Sequence, residues 1–275
     1  MQDLVIEKLS AHKSEPYPGV YVSGRGTPVV LLHSSLNSSR QWRVLEQALV
    51  TDYTVINIDL LGYGAAPMVD GQQAYDLSNE TARILLALDS LIGEQPFHLV
   101  GHSFGGAVAL KFAVEQSPRI LSLSLYEPVA FHLLPINSLE YRQVSEFAAN
   151  VARLEAEAAT RLFTDVWNRP GFYDALPAKM RTQLAANIDK VKLDFNGLIS
   201  ESYTASDCQV IEAPILLMSG QQSPAMAQRI IDILRDNIGH AKWQRIDAGH
   251  MAPVTDASIV SELITCHVVG ASSFC

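Results

Sequence analysis

Residues 97–110 read FHLVGHSFGGAVAL. An apolar run stops at Gly101, a single hydroxyl follows at Ser103, and apolar sequence resumes behind Gly105 and Gly106. FHLVG has the character of a buried strand, and SFGGAVALKFAVEQS (103–117) that of a helix. Gly101-His102-Ser103-Phe104-Gly105 between them fits G-x-S-x-G, and in a strand–turn–helix context this sharp turn lifts the serine hydroxyl above the end of a sheet. The glycines have a steric reason. A side chain at 101 or 105 would collide with neighbouring strand or helix, and Gly106 lets the helix approach closely.

The rest of the chain alternates strand and helix patterns around this turn. LVIEKLS (4–10), GVYVSG (19–24) and PVVLLH (28–33) read as strands, the last apolar enough to be buried on both faces. SRQWRVLEQAL (39–49) places Trp42, Leu45 and Leu49 at helical spacing. YTVINID (53–59) returns to strand, and LSNETARILLALDSLI (77–92) is helical with Ser78 as its expected cap. LSLSLYE (121–127) is a further strand, after which residues 131–206 show only helical patterns, broken at Pro170-Gly171 and Pro177. Alternation resumes with PILLMSG (214–220), AMAQRIIDILRDNI (225–238), AKWQRI (241–246) and ASIVSELITCHVV (257–269). The expected fold is α/β: a mostly parallel, eight-stranded sheet with helices on both faces, since right-handed crossovers place them there. Residues 1–130 and 207–275 form its core domain, and residues 131–206 a helical cap inserted as a lid. Ligands bind such sheets at the carboxyl ends of the strands.

Composition narrows the partners. Of 275 residues, 48% are hydrophobic and 18% charged, enough apolar surface for a folded domain. The net charge of −9, with 20 basic residues scattered among 29 acidic ones, argues against nucleic acid, whose phosphates reward clustered Lys and Arg. No leader and no membrane span is expected, so the reading is cytoplasmic. Cys208, Cys266 and Cys275 show no CxxC spacing and read as reduced thiols. Gly24-Arg25-Gly26 precedes a strand instead of following one, so it is a turn and not a dinucleotide fingerprint. No metal motif and no cofactor motif is found. A small molecule is the expected partner, and a homodimer stays open.

A serine hydroxyl needs a base. Of the eight histidines, only His250 follows the last expected strand in a Gly-His turn, DAGHM; His240 and His267 fall within or beside regular elements, and His12 lies near the start. His250 is the candidate that accepts the Ser103 proton.

VGHSFGG (100–106), LLHSSLNSSRQW (31–42), IDLLGYGAAP (58–67) and DAGHMAPV (247–254) together resemble the α/β-hydrolase superfamily, in its serine-nucleophile form with a cap domain. The resemblance spans the chain apart from the insertion and implies a triad in the order serine, acid, histidine. Members commonly carry the acid in a G-x-x-D turn after the strand that is PILLMSG here, but this chain has Gly220-Gln221-Gln222-Ser223. Glu127, directly after LSLSLY, takes the role instead. Its position resembles a subset of the superfamily, including some haloalkane dehalogenases, with the acid one strand earlier, and Pro128 fixes the backbone beyond it. Asp247, Asp207 or no acid at all are the alternatives.

The family pattern also implies an oxyanion hole from the backbone N–H groups of Phe104 and Ser35, where the usual HG reads His33-Ser34-Ser35. His33, Ser34, His102 and Phe131 are the expected substrate contacts. Phe131, His132, Phe147, Phe163, Trp167, Phe172 and Tyr173 in the insertion line an apolar pocket or simply its core. Unlike the aspartate of dehalogenases, a serine alkoxide attacks acyl carbon. The expected activity is hydrolysis of a small ester or lactone. A carbon–carbon bond hydrolase, a cofactor-free perhydrolase and a non-catalytic small-molecule receptor are the alternatives.

Overall fold

A computed structural model of the chain describes residues 17–69 and 75–272. The strand expected at 4–10, together with His12 and Cys275, lies outside them. The described strands are β1 (Val20–Gly24), β2 (Thr27–Leu32), β3 (Tyr53–Ile58), β4 (Phe97–His102), β5 (Ile120–Tyr126), β6 (Ile215–Gly220) and β7 (Lys242–Ile246). They form one seven-stranded sheet in the order β1-β3-β2-β4-β5-β6-β7. Only β1 runs antiparallel to its neighbour; every other pairing is parallel.

Strand β2 shows why the central sequences are apolar without alternation. Val30 and Leu32 face one core and Val29 and Leu31 the other, all four with no exposed surface. Helices α1 (Arg43–Leu49) and α11 (Ala257–Ser272) cover the second face through Leu45, Val260, Ile264 and Val268, together with Trp42 just before α1. Helices α2 (Leu77–Ile92), α3 (Ser103–Glu115) and α9 (Ala225–Asn237) cover the first. Strand β7 closes one edge, and its KWQRI sequence is largely exposed, as an edge that must resist further pairing requires.

Between β5 and β6 lies the helical insertion: α4 (Leu139–Arg153), α5 (Ala156–Trp167), α6 (Phe172–Ala175), α7 (Ala178–Ala185) and α8 (Ile188–Ser200). Phe131, Phe147, Phe163, Trp167 and Phe195 pack ring against ring there, with centroids 5.3–6.4 Å apart. One helix start differs from expectation. Asp76, not Ser78, caps α2: its carboxylate accepts from the Ser78 amide at 2.7 Å, and the Asn79 side chain accepts from the Asp76 amide at 2.9 Å. Ser78 already lies inside the first turn, where its own amide is one of the donors that need a cap.

Short helix α10 (Ala252–Thr255) follows the turn that carries His250. The carboxyl ends of β4, β5 and β6 and this turn therefore meet beneath the insertion. No described helix is long and apolar enough to cross a membrane.

Candidate functional site

The turn from β4 into α3 has no room for side chains. A Cβ on Gly105 would lie 2.3 Å from the His33 carbonyl oxygen and 2.6 Å from that of Leu32, and one on Gly101 would lie 2.5 Å from the Gly105 oxygen. The backbone between them bends through a positive φ of 55° at Ser103, a conformation that L-residues adopt only when their surroundings impose it. Glu127, immediately after β5, has a φ of 41°. The third such non-glycine residue among those described is Leu36 at 56°, in the loop after β2.

Ser103 and Glu127 converge on one histidine. Nε2 of His250 lies 2.9 Å from Oγ of Ser103, and Nδ1 lies 2.6 Å from Oε2 of Glu127. The second oxygen of Glu127 accepts the Gly220 amide at 2.7 Å, so the carboxylate is held between the end of β6 and the imidazole. Glu127 and His250 are 0% and 2% exposed, and in such a water-poor setting their hydrogen bond is strong and directional. Asp247 and Asp207 are elsewhere: Asp247 is exposed and bonds Gln222, and Asp207 caps its own turn at Thr204. Ser223 is buried, and its hydroxyl has no partner among the described residues.

Two residues hold the histidine turn from behind. His102, just before Ser103, donates through Nε2 to the His250 carbonyl at 2.9 Å; Tyr126, just before Glu127, donates through its hydroxyl to the Gly249 carbonyl at 2.8 Å. Burial, then the neighbouring His250, pushes the His102 imidazole well below its ordinary range, so it stays neutral. His33 is likewise neutral, lowered to about 4 chiefly by burial. Its Nδ1 donates to the Ser34 carbonyl and its Nε2 accepts the Leu60 amide. The sequence reading expects substrate contact from His33 and His102, but both rings are wholly inside the protein, His33 bonded to backbone through both nitrogens and His102 through Nε2. Ser34 and Phe131 each line a cavity.

Ser103 opens onto two spaces. One is a cleft of about 750 Å³ between the insertion and the loops after β2 and before α10, lined by His250 and Ser103. The other is a void of about 10 Å³ lined by Val129, Phe131, Val191, Asp194, Phe195 and Leu198. Ser35, Phe163 and Trp167 border both, with the Trp167 ring 4.2 Å from that of His250. Phe104 is the second residue of α3, where an amide has no intrahelical acceptor.

A buried polar cluster beneath Ser35 was not visible in the sequence pattern. Asp194 accepts from the Ser35 hydroxyl at 2.6 Å, from the Tyr63 hydroxyl at 2.5 Å and from Lys190. Lys190 also donates to the Tyr75 hydroxyl at 2.9 Å and pairs with Glu80 at 3.5 Å. Burial, reinforced by the adjacent carboxylates, raises both phenols and keeps them donors. Lys190 and Asp194 stand four apart on α8, a spacing that usually marks an exposed pair. The available signal is that they share a stripe with Val191, Phe195 and Leu198, all buried. Asp59 has a similar hidden role, accepting the Ser39 and Ala65 amides at 2.6 and 2.8 Å to shape the loops after β2 and β3.

This geometry has relatives. The chain is 29% identical to a fluoroacetate dehalogenase from a Burkholderia species over 132 residues, 46% of this chain and 41% of that protein, less than half of either. It is 22% identical to 3-oxoadipate enol-lactonase 1 of Acinetobacter baylyi over 237 residues, 86% of each. The solved structure of a thermophilic esterase from Thermogutta terrifontis superposes with a TM-score of 0.75 at 19% identity, covering 92% of this chain and 93% of that one. Residues 29–262 match the model of the alpha/beta hydrolase family, which takes in the glycine-flanked serine, the glutamate and the histidine. With that match extending over most of its length, the chain belongs to the alpha/beta hydrolase family.

Proposed function

We propose that this protein is a serine hydrolase that cleaves a small ester or lactone through an acyl-enzyme, without a cofactor. The observation that carries the reading is the unbroken hydrogen-bonded line from Glu127 through His250 to Ser103, with Ser103 and Glu127 both on positive-φ backbone. Glu127 fixes the tautomer of His250 that leaves Nε2 free to take the Ser103 proton, and it stabilises the imidazolium that results. The Ser103 oxygen then adds to the acyl carbon. Negative charge develops on the former carbonyl oxygen, where the amides of Phe104 and Ser35 stabilise it. His250 returns the proton to the leaving oxygen as the C–O bond breaks, and water repeats the sequence to release the acid.

The names of the relatives support acyl chemistry: one is a lactonase and one an esterase. A serine at position 103 separates this chain from displacement at an alkyl halide, which calls for a carboxylate nucleophile. The test is turnover of p-nitrophenyl acetate by the wild type and by Ser103→Ala in parallel. The expected result is a burst of about one nitrophenolate per chain before steady state, absent from the variant, as an accumulating acyl-enzyme requires. Equal rates from both proteins would refute the assignment.

A further inference from the structure

The two spaces beside Ser103 differ in volume and in lining, and only one of them contains the proton donor. In the acyl-transfer cycle, the atom that receives the proton from Nε2 of His250 is the leaving oxygen. The leaving group must therefore lie on the side of Ser103 that His250 occupies. His250 lines the cleft of about 750 Å³ and is not among the residues enclosing the void of about 10 Å³. By elimination, the carbon chain of the acyl group points into the void. That volume matches roughly one water-sized group, enough for the methyl of an acetyl and no longer chain.

The walls reinforce the limit. Phe131 stacks on Phe195 at 6.2 Å and on Trp167 at 6.4 Å, and Val129, Val191, Leu198 and Asp194, whose carboxylate is already held by Ser35, Tyr63 and Lys190, line the remaining sides. Lengthening the acyl chain means displacing packed rings, which interiors resist. The cleft has the opposite character. Its lining mixes apolar Phe172, Leu176 and Met180 with neutral polar Asn37, Asn168 and Gln183, and carries no Asp, Glu, Lys or Arg among the described residues. Such a surface fits a large uncharged alcohol with some hydroxyl or ether oxygens.

We infer that the enzyme is selective for short-acyl esters, acetates first, of bulky neutral alcohols. The inference rests on the serine hydrolase reading, keeps the small size for the acyl group alone and assigns the bulk to the alcohol, favouring an open-chain ester over a lactone, whose acyl chain is tied to the leaving oxygen. The bonds balance as in any ester hydrolysis. Ser103 Oγ bonds the acetyl carbon, the carbon–alkoxy bond breaks, and the Oγ proton passes through His250 to the departing alcohol. Water then splits the acetyl-serine to acetate.

Two isomeric esters test the orientation: 2-naphthylmethyl acetate, with its bulk in the alcohol, and methyl 2-naphthylacetate, with its bulk in the acid. A p-nitrophenyl series from acetate to hexanoate, each rate normalised to spontaneous hydrolysis, tests the chain length. The acetate isomer should exceed its partner, and acetate should exceed hexanoate, each by at least about 100-fold in kcat/KM, the range that a few misplaced methylenes produce. Phe195→Ala, or Leu198→Ala if the first variant folds poorly, should reduce the acetate-to-hexanoate ratio by about 10-fold or more by opening the void. Equal rates for the two isomers, or a preference for the bulky acid, would overturn the selectivity and leave the serine hydrolase reading intact. Absence of any Ser103-dependent turnover across the whole set would overturn both.

Discussion

Glu127 holds His250 across the ends of two strands: Oε2 lies 2.6 Å from Nδ1, while Oε1 is fixed at 2.7 Å by the Gly220 amide of β6. The carboxylate that meets His250 thus comes from the end of β5, although it is anchored by the backbone of the next strand, whose following turn offers only Ser223. Glu127→Gln should keep the fold, read by circular dichroism, and lower kcat about 10³ to 10⁴-fold, the loss seen when a triad carboxylate is neutralised. Adding Ser223→Asp to that variant should restore part of the activity, because the Ser223 hydroxyl occupies a buried, unpartnered position beside Gly220. Near wild-type turnover by Glu127→Gln alone would assign the role to another group.

His102 and Tyr126, the residues just before Ser103 and Glu127, both bond the turn that carries His250. Tyr126→Phe removes the donor to the Gly249 carbonyl at 2.8 Å while keeping the ring. The His250 turn then loses one of its two rear contacts. The expected result is a kcat lower by about 10 to 100-fold with KM little changed, since small misplacements of a catalytic group have costs of that order. An unchanged kcat would show that His102 suffices.

The Lys190 cluster joins the insertion to the core, linking α8 to Tyr75 and Glu80 at the start of α2 and, through Asp194, to Ser35. Lys190→Met strands two buried carboxylates without a countercharge. It should cost about 3–5 kcal/mol, read as a lower urea midpoint at unchanged slope. A loss below about 1 kcal/mol would mean that the phenols alone stabilise the carboxylates.

Acid should destabilise the protein through its buried imidazoles. His33 is lowered to about 4 from 6.5 by burial, and His98 is lowered to about 4 for the same first reason. Between those values the unfolded chain binds protons that the folded chain refuses, so unfolding free energy rises with pH across the window and is lost as pH falls through it. For His33, with no exposed surface, the full window corresponds to about 3 kcal/mol. Urea midpoints measured from pH 7 to pH 4.5 should fall continuously; a flat or rising profile toward acid would contradict this.

The fold was legible because its signals are local. A fully apolar β2, the strand–G-x-S-x-G–helix run and the strand-free stretch before β6 each have one economical reading. The pairing of Glu127 with His250 was also legible, through a missing carboxylate at Ser223 and a Glu-Pro at a strand end. What sequence could not supply was the network of Lys190, Asp194, Glu80, Tyr63 and Tyr75. Its members come from three separate segments, and its Lys, Asp and Glu are residue types ordinarily found at the surface. His33 and His102 were misleading for a related reason. Adjacent to reactive positions in the chain, they turn into the protein because a backbone that presents Ser103 outward directs its neighbour the other way.

The central claim is that Ser103 is a nucleophile activated by Glu127 through His250. Reaction with a fluorophosphonate, followed by mass spectrometry of the intact chain and of its peptides, tests it most directly. One adduct per chain on Ser103, formed much more slowly in Glu127→Gln, is the predicted result. Folded wild-type protein that takes up no label, or takes it up elsewhere, would contradict the account.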